Sequence, residues 1–233
     1  MRSNNFQGAA ATGVAARTAA AMLALLPALG AVAAVAAPVS ATPAVAAPAV
    51  AAPDVVDTDP GQLIESAAQA MLADLDAHRA EYRKDPASIN ALVDRILLPH
   101  FDTSYSARLV LGRHWTPATP EQRQRFIDGF YHSLLTNYGT ALLNFTGDRL
   151  KVFPYKGDAA ATNATVRTQV RKDDGSTVAV NYSLRRTDKW MAWDVIIEGI
   201  SYVKSFRDDF GAEIDQKGLD AVIERLEKQG KAK

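Results

Sequence analysis

From Asp59 onward, apolar residues fall first at helical spacing, then on every second position, then at helical spacing again. Asp59-Pro60 sets an N-cap aspartate before a proline at the first helical position. Leu63, Ile64, Ala67, Ala70, Met71 and Leu75 follow at mainly three- and four-residue steps, which predicts a helix to about Lys84. Ile89, Leu92, Val93, Ile96 and Leu97 mark a second helix, stopped by Pro99. Asp102 caps a third, short one through Tyr105, Ala107, Leu109 and Val110, ended by Gly112. Thr119-Pro120-Glu121-Gln122 has the form of a capping box and opens the longest helix, to about Asn144. On it Phe126, Phe130, Leu134, Tyr138 and Leu142 recur every four residues, with Ile127, Tyr131 and Leu135 alongside.

At Arg149 the period becomes two. Leu150, Val152 and Pro154 alternate with Lys151 and Phe153, and Val166, Thr168 and Val170 alternate with Arg167, Gln169 and Arg171. Asp173-Asp174-Gly175-Ser176 is a hairpin turn by composition. Val178, Val180, Tyr182 and Leu184 form the next alternating run, and a turn near Thr187-Asp188-Lys189 leads into Trp190 to Ile197. After Gly199 the helical period returns with Ile200, Val203, Phe206, Phe210 and Ile214, and Gly218 precedes a last helix with Leu219, Val222, Ile223 and Leu226. The expectation is an α+β domain with a helical layer packed on a twisted four-stranded antiparallel sheet.

The chain before Asp54 is different. Its 53 residues hold 22 alanines and five of the eleven prolines, with Arg2 and Arg17 as their only charges. An uncharged stretch from Thr18 to Ala37 follows, then small-residue sites at Ala34-Val35-Ala36 and Val39-Ser40-Ala41. This is the layout of a secretory signal, residues 1–41, with cleavage at about 36–47. A membrane anchor is the competing reading, and Pro27 and Gly30 within the stretch weigh against it. Residues 42–58 read as an Ala/Pro-rich tether and 59–230 as one domain. The expected location is the periplasm.

Charge and composition narrow the chemistry. The chain of 233 residues has 26 basic and 26 acidic side chains, four histidines and no cysteine. A thiol nucleophile, a thiolate metal site, a disulfide framework and a lipid-modified N-terminal cysteine are excluded. A balanced charge offers no field to attract nucleic acid. No phosphate-binding glycine loop, Gly-x-Ser-x-Gly elbow or His-Glu-x-x-His occurs, and His78, His100, His114 and His132 lack ligand spacing. No cofactor, metal site or catalytic residue is assigned. Asp194 and Glu198 are the one carboxylate pair of interest. Such a pair can supply an acid and a base. Strand geometry puts the two on one face but about 13 Å apart, which favours the plainer reading in which Asp194 meets a neighbouring strand's arginine and Glu198 anchors the following turn. Asn163-Ala164-Thr165 matches a glycosylation sequon at the head of a strand.

What stands out is an apolar surplus. A sheet face of Val166, Val170, Val178, Val180, Tyr182 and Leu184 meets an aromatic-rich helix. Such a pairing makes either a filled core or a hollow that accepts an apolar ligand, and periodicity does not distinguish them.

Three segments carry a family resemblance. Leu97-Leu98-Pro99-His100-Phe101-Asp102 precedes Tyr105-Ser106-Ala107-Arg108-Leu109-Val110-Leu111-Gly112. Ala118 to Gln122 leads into a helix containing Tyr138-Gly139-Thr140-Ala141-Leu142. Trp193-Asp194-Val195-Ile196-Ile197-Glu198-Gly199-Ile200-Ser201 leads into Phe206-Arg207-Asp208-Asp209-Phe210. Together they resemble the MlaC family, the periplasmic phospholipid-binding components of the Mla transport system, also called toluene-tolerance or ABC-transporter auxiliary proteins. Two features depart from that pattern: the long tether, and Ser205-Phe206-Arg207 where relatives often carry Asn-Tyr-Arg.

The resemblance implies lipid tails between sheet and helices, and a shuttle that maintains outer-membrane lipid asymmetry without chemical conversion. Implied partners are a phospholipid, an inner-membrane MCE-domain protein with its ABC transporter, and an outer-membrane lipoprotein complex. The candidate lining, each member of which is otherwise plain core, is Tyr105, Leu109, Phe126, Phe130, Leu134, Tyr138, Leu142, Val166, Val180, Tyr182, Trp193, Val195 and Val203. Arg108, Arg113 and Lys204 are candidate headgroup contacts, with solvated surface roles as the other reading. Two alternatives stay open: a small-molecule enzyme on a cone-shaped α+β scaffold, and a periplasmic interaction module with a packed core.

Overall fold

The computed structural model describes residues 54–231 except Pro86, Phe145, Gly147, Asp148, Ala159 and Asp173. The signal and most of the tether lie outside the described residues. Asp59 accepts hydrogen bonds from the Gly61 and Gln62 amides, both at 2.9 Å, and so starts α1 (Pro60–Lys84) where the N-cap pattern predicts. α2 (Ser88–Ile96) packs against it, and the Asp74 carboxylate of α1 takes both the Tyr82 hydroxyl and the Arg95 guanidinium. α3 (Thr103–Leu111) begins at Asp102, whose side chain accepts from the Tyr105 amide at 2.9 Å.

The Thr119/Gln122 capping box is formed in both directions and opens α4 (Pro120–Tyr138). The run of four-residue spacing does not stay α-helical to Asn144. It tightens into a 3-10 segment, Gly139–Asn144, where Gly139 passes against Ile89 and Asn90 of α2.

The sheet is an antiparallel meander in sequence order: β1 (Leu150–Val152), β2 (Asn163–Arg171), β3 (Thr177–Arg186), β4 (Trp190–Ile197) and β5 (Ile200–Ser201). The four expected strands are present and β5 is an addition. Glu198 and Gly199 both have positive φ, 49° and 82°, and this reversal pairs Ile197 with Ile200 and Ile196 with Ser201. The residues expected to begin a helix therefore finish the sheet, and α5 (Tyr202–Lys217) starts two residues later. Gly218, at φ +84°, separates it from α6 (Leu219–Lys231). None of the described helices is long and apolar enough to cross a membrane.

The buried apolar residues form three clusters. One joins α3, α4, α5 and α6 around Phe126, Phe210, Val222 and Leu226. The second joins α1, α2 and α4 around Leu75, Ile89 and Leu92. The third sets Leu63 and Ile64 of α1 against Ala164, Val166, Leu184, Trp190 and Ala192 of the sheet.

The tether reading stops short of Thr58. Val55 packs on the second and third clusters, the Val56 amide donates to Ser66 Oγ at 2.9 Å, and the Trp190 amide donates to the Asp57 carbonyl at 3.0 Å. Residues 55–57 therefore strap onto the domain, because an apolar side chain and two backbone groups find partners there.

Candidate functional site

Residues paired across antiparallel strands share a face, so the register defines the inner rows of the sheet. Ala164, Leu184 and Ala192 make one row; Val166, Tyr182 and Val195 the next; Thr168, Val180 and Ile197 the third; Val170 and Val178 the last. Burial falls along these rows. Ala164, Val166, Leu184 and Ala192 are buried beneath Leu63 and Ile64. Beyond them Val170, Val178, Val180, Val195 and Ile197 are apolar yet only half-buried. Thr168, within that stretch, is buried with its hydroxyl donating to the Val180 carbonyl at 2.5 Å.

Tyr182 stands at the boundary. It lies so deep that burial alone pushes its phenol above the ordinary tyrosine value. Its side chain nevertheless keeps accessible surface and has no hydrogen-bond partner among the described residues. Tyr182 therefore marks the edge of the packed part of the sheet face.

Helical residues of the same kind rim the other clusters. Leu134, Val203 and Phe206 border the first, and Leu142 and Leu143 the second; all are half-buried. Tyr138 and Tyr202 are also half-buried and hold their protons more tightly because of burial, with Tyr138 close enough to raise Tyr202 further. Phe206 meets Tyr202 at 6.0 Å and Phe130 edge-on at 5.1 Å between ring centroids.

The thirteen expected lining residues therefore divide. Leu134, Tyr138, Leu142, Val180, Tyr182, Val195 and Val203 are half-buried on these rims and rows. Phe126 and Val166, both 0% exposed, are corrections: Phe126 is closed in by Phe130 and Phe210 at 5.7 and 5.6 Å, and Val166 by α1, leaving neither any free surface. Phe130 is buried too, at 8%.

Trp193 falls where the β3–β4 register shifts, so it leaves the inner row, and its ring meets Tyr105 edge-on at 5.5 Å with Arg185 above Tyr105. Leu109 lines a separate surface cleft. Tyr202, Phe206, Val170, Val178 and Ile197 are half-buried in the same way and were not among the expected lining. The alternation already marked the valines, whereas Tyr202 became visible only once the turn at Glu198 set where α5 begins.

The three candidate headgroup cations do not converge on one ion. Arg113 pairs with Asp215, which His114 also approaches at 3.4 Å. Arg108 faces the separate cleft and Lys204 is exposed.

Asp194 is 2% exposed but, among the described residues, meets no arginine, contrary to expectation. It accepts from Ser201 Oγ at 2.6 Å and from the Val203 amide at 3.0 Å, tying the sheet to the first turn of α5. Glu198 anchors its turn as expected, accepting from the Ala179 amide at 2.5 Å.

The histidines occupy separate elements: His78 sits beside Asp74, His132 beside the Asp128 carbonyl, and His100 with its Nδ1 3.7 Å from Asp57. Among the described residues no group of three His, Cys, Asp or Glu converges. His100 Nδ1 is buried without a hydrogen bond, and desolvation together with nearby Lys189 lowers its pKa from the ordinary 6.5, against a smaller opposing pull from Asp57.

A histidine kept neutral by folding takes up its proton more readily when unfolded. Its contribution is complete above pH 6.5 and is lost as pH falls below that value toward the folded pKa. Urea unfolding at pH 7.5 and 5.5 is expected to show this loss, and His100→Gln to reduce it. An identical pH slope in that variant would rule the histidine out as its source.

These features define a class: a small α+β protein whose helices bury one half of a sheet face and leave the other half, apolar apart from Thr168 and edged by Tyr182, only partly covered. The MlaC protein family model matches residues 65–228, and the chain belongs to the MlaC family. It is 32% identical over 163 residues to the toluene tolerance protein ttg2D of Pseudomonas putida, covering 69% of this chain and 75% of that one. It is 22% identical over 177 residues to the intermembrane phospholipid transport system binding protein MlaC of Haemophilus influenzae, covering 74% and 83%. A phospholipid-binding protein from Ralstonia solanacearum, solved in complex with a phospholipid, superposes with a TM-score of 0.68 at 25% identity, covering 75% of this chain and 97% of that one.

Proposed function

We propose that this chain binds a phospholipid and carries it through the periplasm without altering it. The acyl chains lie over the uncovered sheet rows, among Val178, Val180, Tyr182, Val195 and Ile197, with Leu134, Tyr138, Leu142, Tyr202, Val203 and Phe206 opposite. The observation that carries this reading is the fall in burial along an inner face that is apolar apart from Thr168. An ordinary core would bury all of that face. The phospholipid complex of the Ralstonia relative supports the ligand class.

The physical obstacle is water. Two sixteen-carbon chains hold roughly 28 methylenes, and exposing them at about 0.8 kcal/mol each costs on the order of 20 kcal/mol. A protein wall that replaces the bilayer interior removes most of that cost, so exchange with a membrane is nearly balanced. In this reading the donor and acceptor are an inner-membrane MCE-domain assembly with its ABC transporter and an outer-membrane lipoprotein complex. The balanced charge favours docking on such proteins over general adhesion to anionic lipid.

Native mass spectrometry of gently purified protein, followed by lipid extraction, is expected to find a phospholipid bound with one-to-one stoichiometry. Protein repeatedly found empty, and unable to take lipid from vesicles, would overturn the proposal.

A further inference from the structure

A cleft of about 260 Å³ lies where the end of α3, the turn at Gly112–His114 and α5 meet. Arg108, Leu109, Gly112, Trp115, Thr116 and Arg207 line it. Arg108 and Arg207 are exposed, and neither has an ion pair or hydrogen bond among the described residues. Three of the neighbouring cations are already engaged. Arg113 and His114 share Asp215, and Arg123 donates to the Trp115 and Thr116 carbonyls at 2.9 and 3.1 Å.

The backbone shape accommodates Arg207. Gly112 has φ +52°, and a Cβ there would stand 2.7 Å from Arg207 Nε, so only glycine lets the guanidinium rest against the chain. Arginine does not discharge, and its planar fork matches a carboxylate in two parallel hydrogen bonds. Leu109 and Trp115 add apolar walls, so the cleft suits an anionic group beside an apolar one.

The place of the cleft favours an anion from a protein over the headgroup of a bound lipid. Phe206 meets Phe130 and Tyr202 on the side of the proposed acyl site. Arg207, the next residue, points about 100° further round the helix, away from that row. We propose that this cleft docks an acidic segment of a protein partner, with carboxylates on Arg108 and Arg207 and an apolar side chain between Leu109 and Trp115.

The test titrates the full chain with a nine-residue peptide carrying Glu-Leu-Glu at its centre, read by amide chemical shifts and calorimetry. Shifts are expected to concentrate at residues 108–116 and at Arg207. Affinity is expected to fall at least fivefold in R108Q/R207Q, and again when the peptide's glutamates become glutamines. Uptake of lipid from phosphatidylglycerol vesicles is expected to stay unchanged in R108Q/R207Q.

Equal affinity in the double variant or for the glutamine peptide overturns the proposal. Displacement of the peptide by an equal concentration of inorganic phosphate overturns it in favour of a small-anion site. Loss of lipid uptake in the variant overturns it in favour of a headgroup contact. A native chain that binds the peptide but never takes up lipid would instead defeat the carrier reading and leave the docking cleft standing.

Discussion

Val180→Trp is expected to lower phospholipid uptake from vesicles at least tenfold while leaving the protein folded. Val180 lies in the uncovered part of the inner face, paired with Thr168 on one side and Ile197 on the other. An indole there occupies space assigned to acyl chain. Excluding only two methylenes costs about 1.6 kcal/mol at 0.8 kcal/mol each, more than a factor of ten in affinity. Because Val180 is half-buried, the larger ring has room that a filled core would deny it, and the thermal midpoint should move by only a few degrees. Thr165→Trp on the exposed face of β2 is the control and should take up lipid normally. Native uptake by a folded Val180→Trp would remove this row from the site. A collapse in stability instead would mean that the space is already filled.

Asp194→Ala is expected to give the largest loss of stability. The carboxylate is buried and receives one hydroxyl and one backbone amide. Its removal strands both donors at the junction of β5 and α5. Hydrogen bonds to a charged group contribute about 1.5–3 kcal/mol each, so the cost of losing two is about 3–6 kcal/mol. For a domain of this size that corresponds to a fall of about 10 °C in Tm. Asp194→Asn keeps one acceptor and should lose about half as much. Scanning calorimetry of both variants measures this, and a shift below 3 °C in Asp194→Ala would show that the contacts carry little energy. The same pair tests the enzymatic alternative, since turnover abolished in Asp194→Asn with lipid content unchanged would argue for chemistry at this carboxylate.

Local features were legible because their causes are local. Asp59 and Thr119 cap the helices they were expected to cap, since a side chain two or three residues from a free amide needs no tertiary contact to find it. The alternation from Val166 to Leu184 named the correct inner face, because a strand's period of two leaves no other choice once one row is buried. The fifth strand was not legible. It depends on a non-glycine residue, Glu198, adopting positive φ, which composition gives little reason to expect. Trp193 was misassigned for a related reason: one shift of register on β4 moves a residue out of its row while the alternation in the sequence continues undisturbed.

The site itself divides along the same line. Which residues are apolar and which way each element faces follow from neighbours within about four positions, and the sequence alone determined them, as it did the absence of thiol chemistry and the balanced charge. Which apolar residues remain uncovered is a question of reach. α1 brings Leu63 and Ile64 over Val166 and Leu184 but leaves Val178, Val180 and Val195 half-buried, and Phe210 closes over Phe126 while Tyr138 keeps free surface. Only the tertiary structure decides this, because it depends on where distant helices end relative to the strands. Two valines with the same pattern around them can therefore meet opposite fates, Val166 packed in a core and Val180 on the open face.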